Sequence, residues 1–207
     1  MKKIFFIAAL IILAALYNNY TPSSACNSSM QKDIAGRILR FHVVANSDSD
    51  EDQALKLKVK DAVVTYLSPM LSESDSLDES IKIACENYDN INAIASQVIK
   101  SEGYDYSVTC SVEETVFPVK CYGDVVLPSG KYTALNIKIG KASGKNWWCI
   151  LYPPLCFVDA SSGIVPDSSK KQLKETLTEA EYRSIINEPE DTDVSFRFKY
   201  LTFLNQS

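Results

Sequence analysis

Residues 38–45, ILRFHVVA, with the polar run NSDSDED at residues 46–52 behind them, decide how this chain folds. The first eight are rich in branched and aromatic side chains and read as a buried or half-buried strand that carries two polar residues, Arg40 and His42. Acids then gather at Asp48, Asp50, Glu51 and Asp52, with Lys56, Lys58 and Lys60 further in. That distribution suits the helix dipole, so a helix is expected to start near Asp50. Its apolar positions Leu55, Val59, Ala62, Val63 and Tyr66 fall on one face, and Pro69 is expected to end it.

Downstream, Ser76 and Glu79 have capping-box spacing, and Ile81, Ala84, Tyr88, Ile91, Ala95 and Val98 form the stripe of a second helix closed by Gly103. From Tyr104 the period changes. Residues 104–112, 115–122, 131–139 and 147–158 read as strands, separated by Gly123, Pro128, Gly130, Gly140 and Gly144, and their short connections favour antiparallel pairing. A further helix is expected over residues 171–187, and the alternating VSFRFKY at residues 194–200 reads as a closing strand. The expected class is α+β: a mainly antiparallel sheet covered on one face by helices, two of them consecutive after the first strand and one near the C-terminus.

Upstream, Lys2 and Lys3 precede an unbroken apolar run, residues 4–16. Thirteen helical residues rise only about 20 Å, short of a hydrocarbon core of about 30 Å, so residues 1–25 read as a signal peptide, with an uncleaved anchor as the alternative. Ser23 and Ala25 suit cleavage before Cys26. A cysteine there also admits lipidation, but the polar and small residues 17–25 separate it from the apolar run, which argues against that route. Residues 26–207 then form one globular domain, extracytoplasmic and open to disulfide formation.

The chain has 207 residues, 46% hydrophobic and 23% charged, a balance that excludes disorder and a many-span membrane protein. Its net charge of −5 becomes −7 once residues 1–25, with two lysines and no acid, are removed. Such an acidic domain is repelled by phosphate backbones and anionic lipids, so nucleic acid is not an expected partner, and membrane contact is expected only through the N-terminal segment if that is retained.

The carboxylates Asp48, Asp50 and Asp52 begin like a calcium loop, but Gln53 and Val59 stand where that loop needs glycine and a bidentate glutamate; a solvated helix start fits better. GKASGKN at residues 140–146 has three residues between its glycines where a phosphate loop has four, and a strand-like run follows it, so it reads as a hairpin turn. His42 is the sole histidine, and any Ser/His/Asp or Cys/His device must use it. A small exported hydrolase built on His42 with a nearby acid or thiol is the rival functional reading. Trp147 and Trp148 alternate to opposite faces of a strand, which lets one of them anchor a partner.

The six cysteines include no CxxC, and with one histidine they argue against a zinc site; no metal or cofactor is expected. Cys149 and Cys156 flank Pro153 and Pro154, so a turn there brings them into bridging range, a closure worth about 2–3 kcal/mol. Cys110 and Cys121, on neighbouring expected strands, are a second candidate pair, with Cys85 left free.

Two blocks, RFHVVANSDSDEDQALKLKVKDAV at residues 40–63 and YGDVVLPSGKYTALNIKIGKASGKNWWCILYPPLCFVD at residues 122–159, resemble the stage II sporulation protein R family. GYDYSV at residues 103–108 and FPVKCYGD at residues 117–124 extend the resemblance. It implies a signalling protein rather than an enzyme: made in the forespore, exported into the space between the septal membranes, and needed there to activate a membrane-embedded aspartic protease that processes the precursor of sigma factor E. No catalytic residue carries over. The residues expected to bind that partner or to shape the site are Arg40, His42, Asn46, Asp48, Asp52, Trp147 and Trp148, because a polar cluster after a strand is presented at a sheet end, where partners bind.

Overall fold

The computed structural model describes residues 24–156, 165 and 167–187. The signal-like segment and the expected closing strand at residues 194–200 lie outside them. Helix α1 (Ser24–Ala35) leads into β1 (Leu39–Val44), and α2 (Asp50–Ser72), α3 (Leu77–Glu86) and α4 (Tyr88–Ser101) follow. Then come β2 (Val108–Phe117), the small hairpin β3 (Lys120–Tyr122) and β4 (Val125–Leu127), β5 (Gly130–Ile139), β6 (Asn146–Tyr152), α5 (Asp167–Thr176) and α6 (Glu179–Ile185). The class is α+β.

Four strands form one sheet in the order β2-β5-β1-β6, with β3 and β4 paired separately. The β2–β5 and β1–β6 pairs are antiparallel, whereas β1 runs parallel to β5. A parallel pair needs a long crossover, supplied here by α2 to α4 and β2. All six residues of β1 are buried, as suits a central strand.

Alternation along β1 divides the interior in two. Leu39, Phe41 and Val43 point into a layer filled by Leu55, Val59, Val63 and Leu67 of α2, Ala84 of α3, and Ile91, Ala95 and Ile99 of α4. On the other face, Phe117, Tyr132, Ala134 and Ile150 pack with Ile34 of α1, Val125 and Leu127 of β4, Leu173 of α5 and Ile185 of α6. The sheet is therefore covered on both faces, where the sequence pattern suggested one. The second cover is assembled from short, widely separated pieces, none long enough to show a stripe.

Boundaries depart from expectation for local reasons. Helix α2 continues through Pro69 to Ser72, because Leu67 and Leu71 on either side of the proline are buried in the helical layer and offset the one amide bond it cannot make. The second expected helix is two, divided at Asn87, whose side-chain amide donates to the Ile83 carbonyl at 2.8 Å and closes α3. The C-terminal helix is likewise two, α6 starting at the Thr178 capping box. The strand expected over residues 115–122 is broken at Pro118, which cannot donate to a ladder, and β2 runs through the gap read between residues 112 and 115.

Candidate functional site

At one end of the sheet the β1–α2 loop locks onto the β5–β6 turn. Ser49 caps α2, its hydroxyl accepting from the Asp52 amide at 3.2 Å. The Asp52 carboxylate is almost wholly buried, and its Oδ2 accepts from Ser47 Oγ at 2.5 Å and Asn46 Nδ2 at 2.8 Å. Burial by itself raises its pKa, but hydrogen bonds from Ser47, Asn46 and Tyr106 together outweigh it and hold the carboxyl below the ordinary aspartate value.

Asn46 Oδ1 accepts from the Lys141 amide at 3.0 Å, its carbonyl takes the Ser143 hydroxyl at 2.7 Å, and Asp48 Oδ1 accepts from the Lys145 amide at 2.6 Å. Gly144 allows this approach: a Cβ there would stand 2.1 Å from the Ser47 carbonyl oxygen. Lys56, also buried, donates to Gln53 Oε1 at 2.6 Å and to the Lys145 carbonyl at 3.1 Å; burial lowers its pKa, and Asp48 opposes that shift. GKASGKN is thus the turn that the aspartate-rich loop grips. Among the described residues no group of His, Cys, Asp or Glu side chains is placed to hold a metal ion.

Below this clamp, on the face opposite the helical layer, His42 stacks flat on Trp148, ring centroids 3.9 Å apart and 4° from parallel. Its Nδ1 lies 2.9 Å from Asn136 Oδ1 and its Nε2 2.8 Å from Asn146 Oδ1. Asn136 Nδ2 donates to the Ala134 carbonyl at 3.1 Å, which fixes that amide's orientation and turns its Oδ1 toward the ring. Both ring nitrogens face amides rather than a hydroxyl, thiol or carboxylate. Cys149, opposite Phe41 in the ladder, points to the other face of the sheet, so strand alternation separates it from His42.

Arg40 lies deeper still, with no exposure. Its Nε donates to the Cys149 carbonyl and its Nη2 to Tyr122 Oη, both at 2.9 Å, and its guanidinium sits 4.1 Å from the Phe117 ring centroid and 5.0 Å from that of Tyr132. Among the described residues Nη1 has no hydrogen-bond partner. Arg40 therefore shapes the site from beneath. Trp147 packs edge-on against Phe41 in the helical layer, with the Lys60 ammonium 5.0 Å from its ring, and both tryptophans are half-buried.

The seven candidates accordingly form two neighbouring groups, the clamp (Asn46, Asp48, Asp52) and the stack over the guanidinium (Arg40, His42, Trp148), with Trp147 turned to the opposite face. Residue reading missed Asn136, Lys56, Phe117, Tyr122 and Tyr132. A polar Asn136 inside the apolar run of β5 was the available signal.

A cleft of about 500 Å³ opens elsewhere, lined by Arg37, Leu71, Asp75, Tyr152, Pro153 and Glu175 among others; none of the seven candidates lines it. Of the disulfide candidates, Cys110, Cys121, Cys149 and Cys156 all carry free thiols, as does Cys85. Cys149 and Cys156 do converge, their sulfurs 3.7 and 2.9 Å from the Ile150 carbonyl oxygen. Cys110 and Cys121 lie in separate sheets, β3 pairing with β4 and not with β2.

The family model for stage II sporulation protein R matches residues 35–162, a span that holds the clamp, the stack and all seven candidates. The chain belongs to the stage II sporulation protein R family. It is 37% identical over 150 residues to stage II sporulation protein R of Bacillus subtilis, covering 70% of this chain and 67% of that protein. No solved structure matches the chain. Membership in the stage II sporulation protein R family assigns the chain to sporulation, and the matched span takes in the whole four-stranded sheet. Helices α5 and α6, which complete the second cover, lie beyond it.

Proposed function

We propose that this protein is exported from the forespore and acts between the septal membranes as a ligand that activates a membrane-embedded aspartic protease, which then processes the precursor of sigma factor E. Family membership over residues 35–162 is the observation that carries this reading. The lysine-led apolar run at the N-terminus and the acidic composition support it. So does the form of the site: its polar side chains are tied to one another and to backbone rather than turned around a reaction pocket, as suits a rigid surface presented to a partner. A ligand acts here by binding the active arrangement of the protease more tightly than the inactive one; moving it from mostly off to mostly on takes a differential of about 5 kcal/mol.

The test is to add purified protein lacking residues 1–25 to the outside of cells that make the protease and the sigma precursor. Processing that begins in proportion to added protein is the expected result. Precursor that stays intact at every dose, with both other components shown to be present, sinks the reading.

A further inference from the structure

Among the described residues strand β2 is an edge of the four-stranded sheet, and its hydrogen-bond phase can be read residue by residue. The Gly140 amide donates to the Ser107 carbonyl at 2.7 Å, which makes that pair, and every second pair after it, the ones that exchange bonds with β5. Odd-numbered residues of β2 therefore turn their main chain inward, and even-numbered ones turn theirs out. The Val112 amide confirms the phase, donating at 2.6 Å to Tyr88 Oη on α4.

Helices α3 and α4 pack on the first half of this strand, where Val108, Cys110 and Val112 join the helical layer. Beyond Val112 neither helix follows the strand. Among the described residues nothing pairs with the outward main chain of Glu114 and Val116, and Val116 is 67% exposed, with Val119 close behind at 56%. Glu114 is held by Lys131 at 2.7 Å and Glu113 by Lys138 at 3.3 Å, so the charges along this stretch are already matched from β5.

A line of outward amides and carbonyls is met by another main chain, not by a helix face or a flat side-chain surface. We propose that residues 114–116 accept an extended segment of the activated partner as an added strand, with an uncharged apolar side chain laid on Val116. This rests on the reading of the protein as a ligand and names the surface that does the binding. A second copy of the chain fits worse. Val112 is capped and Pro118 has no amide, so twofold pairing leaves only about four main-chain bonds and sets each Glu114 opposite the copy's Val116.

The discriminating variant is Val116→Pro, which removes an amide that no described residue uses. Alongside it, Val116→Lys keeps the amide and removes the apolar contact. Both are compared with wild type in the added-protein experiment, after urea midpoints show that each is folded. Potency about tenfold lower or worse for Val116→Pro is expected. Full potency for both variants overturns the proposal, and a wild-type protein that starts no processing sinks the functional reading instead. Hydrogen exchange on the isolated protein decides the state of the edge without the partner. Fast exchange at the Glu114 and Val116 amides is expected. Protection that grows with protein concentration shows a second copy on the edge, protection independent of concentration shows the chain's own remaining segment, and either overturns the proposal.

Discussion

Asp52 concentrates the chemistry of the clamp in one carboxylate. Its pKa is held below the ordinary aspartate value in the folded protein, so it contributes stability that is fully present above the unfolded pKa, about 3.9, and is lost as pH falls through the lower, folded value. Asp52→Asn preserves shape and keeps one oxygen for Ser47 and Asn46, but it replaces two charge-assisted bonds with weaker neutral ones, and is expected to lower stability at neutral pH by about 1–3 kcal/mol. Urea titrations from neutral to acid pH check this: the gap between wild type and variant should narrow as pH drops below the ordinary aspartate range. A gap that stays constant with pH places the cost elsewhere. Arg40 lies in a strand that the sequence reads as buried or half-buried, and the structure sets its depth. A cation in a strand that ends beside an acidic loop looks like surface chemistry, yet it lies fully buried under Phe117 and Tyr132, where aromatic faces supply part of what water would.

At the scale of elements, two glycines mark close approaches, one to backbone and one to a side chain, and they predict unequal costs. Gly144→Ala drives a methyl into the Ser47 carbonyl, which the Ser49 cap and the Asp52 bonds hold still, and should cost about 2–3 kcal/mol. Gly130→Ala meets only the end of the Gln31 side chain, which can swing away at the loss of its 2.9 Å bond to the Lys131 carbonyl, about 1 kcal/mol. Chemical denaturation of the two variants side by side checks the ranking; equal costs exclude a rigid clamp. Sequence made the first strand, the start of α2 at Asp50 and the capping of α3 by Ser76 legible, because each is written in adjacent residues. It did not reveal that residues 46–49 grip residues 141–145, since that grip is mostly backbone to side chain across some hundred positions and leaves no period behind. Nor did it reveal the break at Asn87, where the apolar stripe runs on without interruption while the backbone does not.

For the whole molecule, the sheet is the shared wall of two cores, and neither can be loosened without exposing strands of the other. Leu67→Ala in the helical layer and Leu173→Ala in the opposite cover should each lower the same unfolding transition, by about 2–4 kcal/mol. Tryptophan fluorescence and far-ultraviolet circular dichroism should trace that transition together; two separated transitions would mean that the covers melt independently. The α+β class followed from element order, but the second cover did not, because α1, β4, α5 and α6 are short and scattered along the chain. Every second side chain of β1 belongs to a different core, apolar on one side, guanidinium and imidazole on the other. One residue inserted ahead of Arg40 would exchange the two sets, burying the cation among leucines and valines, so this strand should accept many changes of letter and almost none of count.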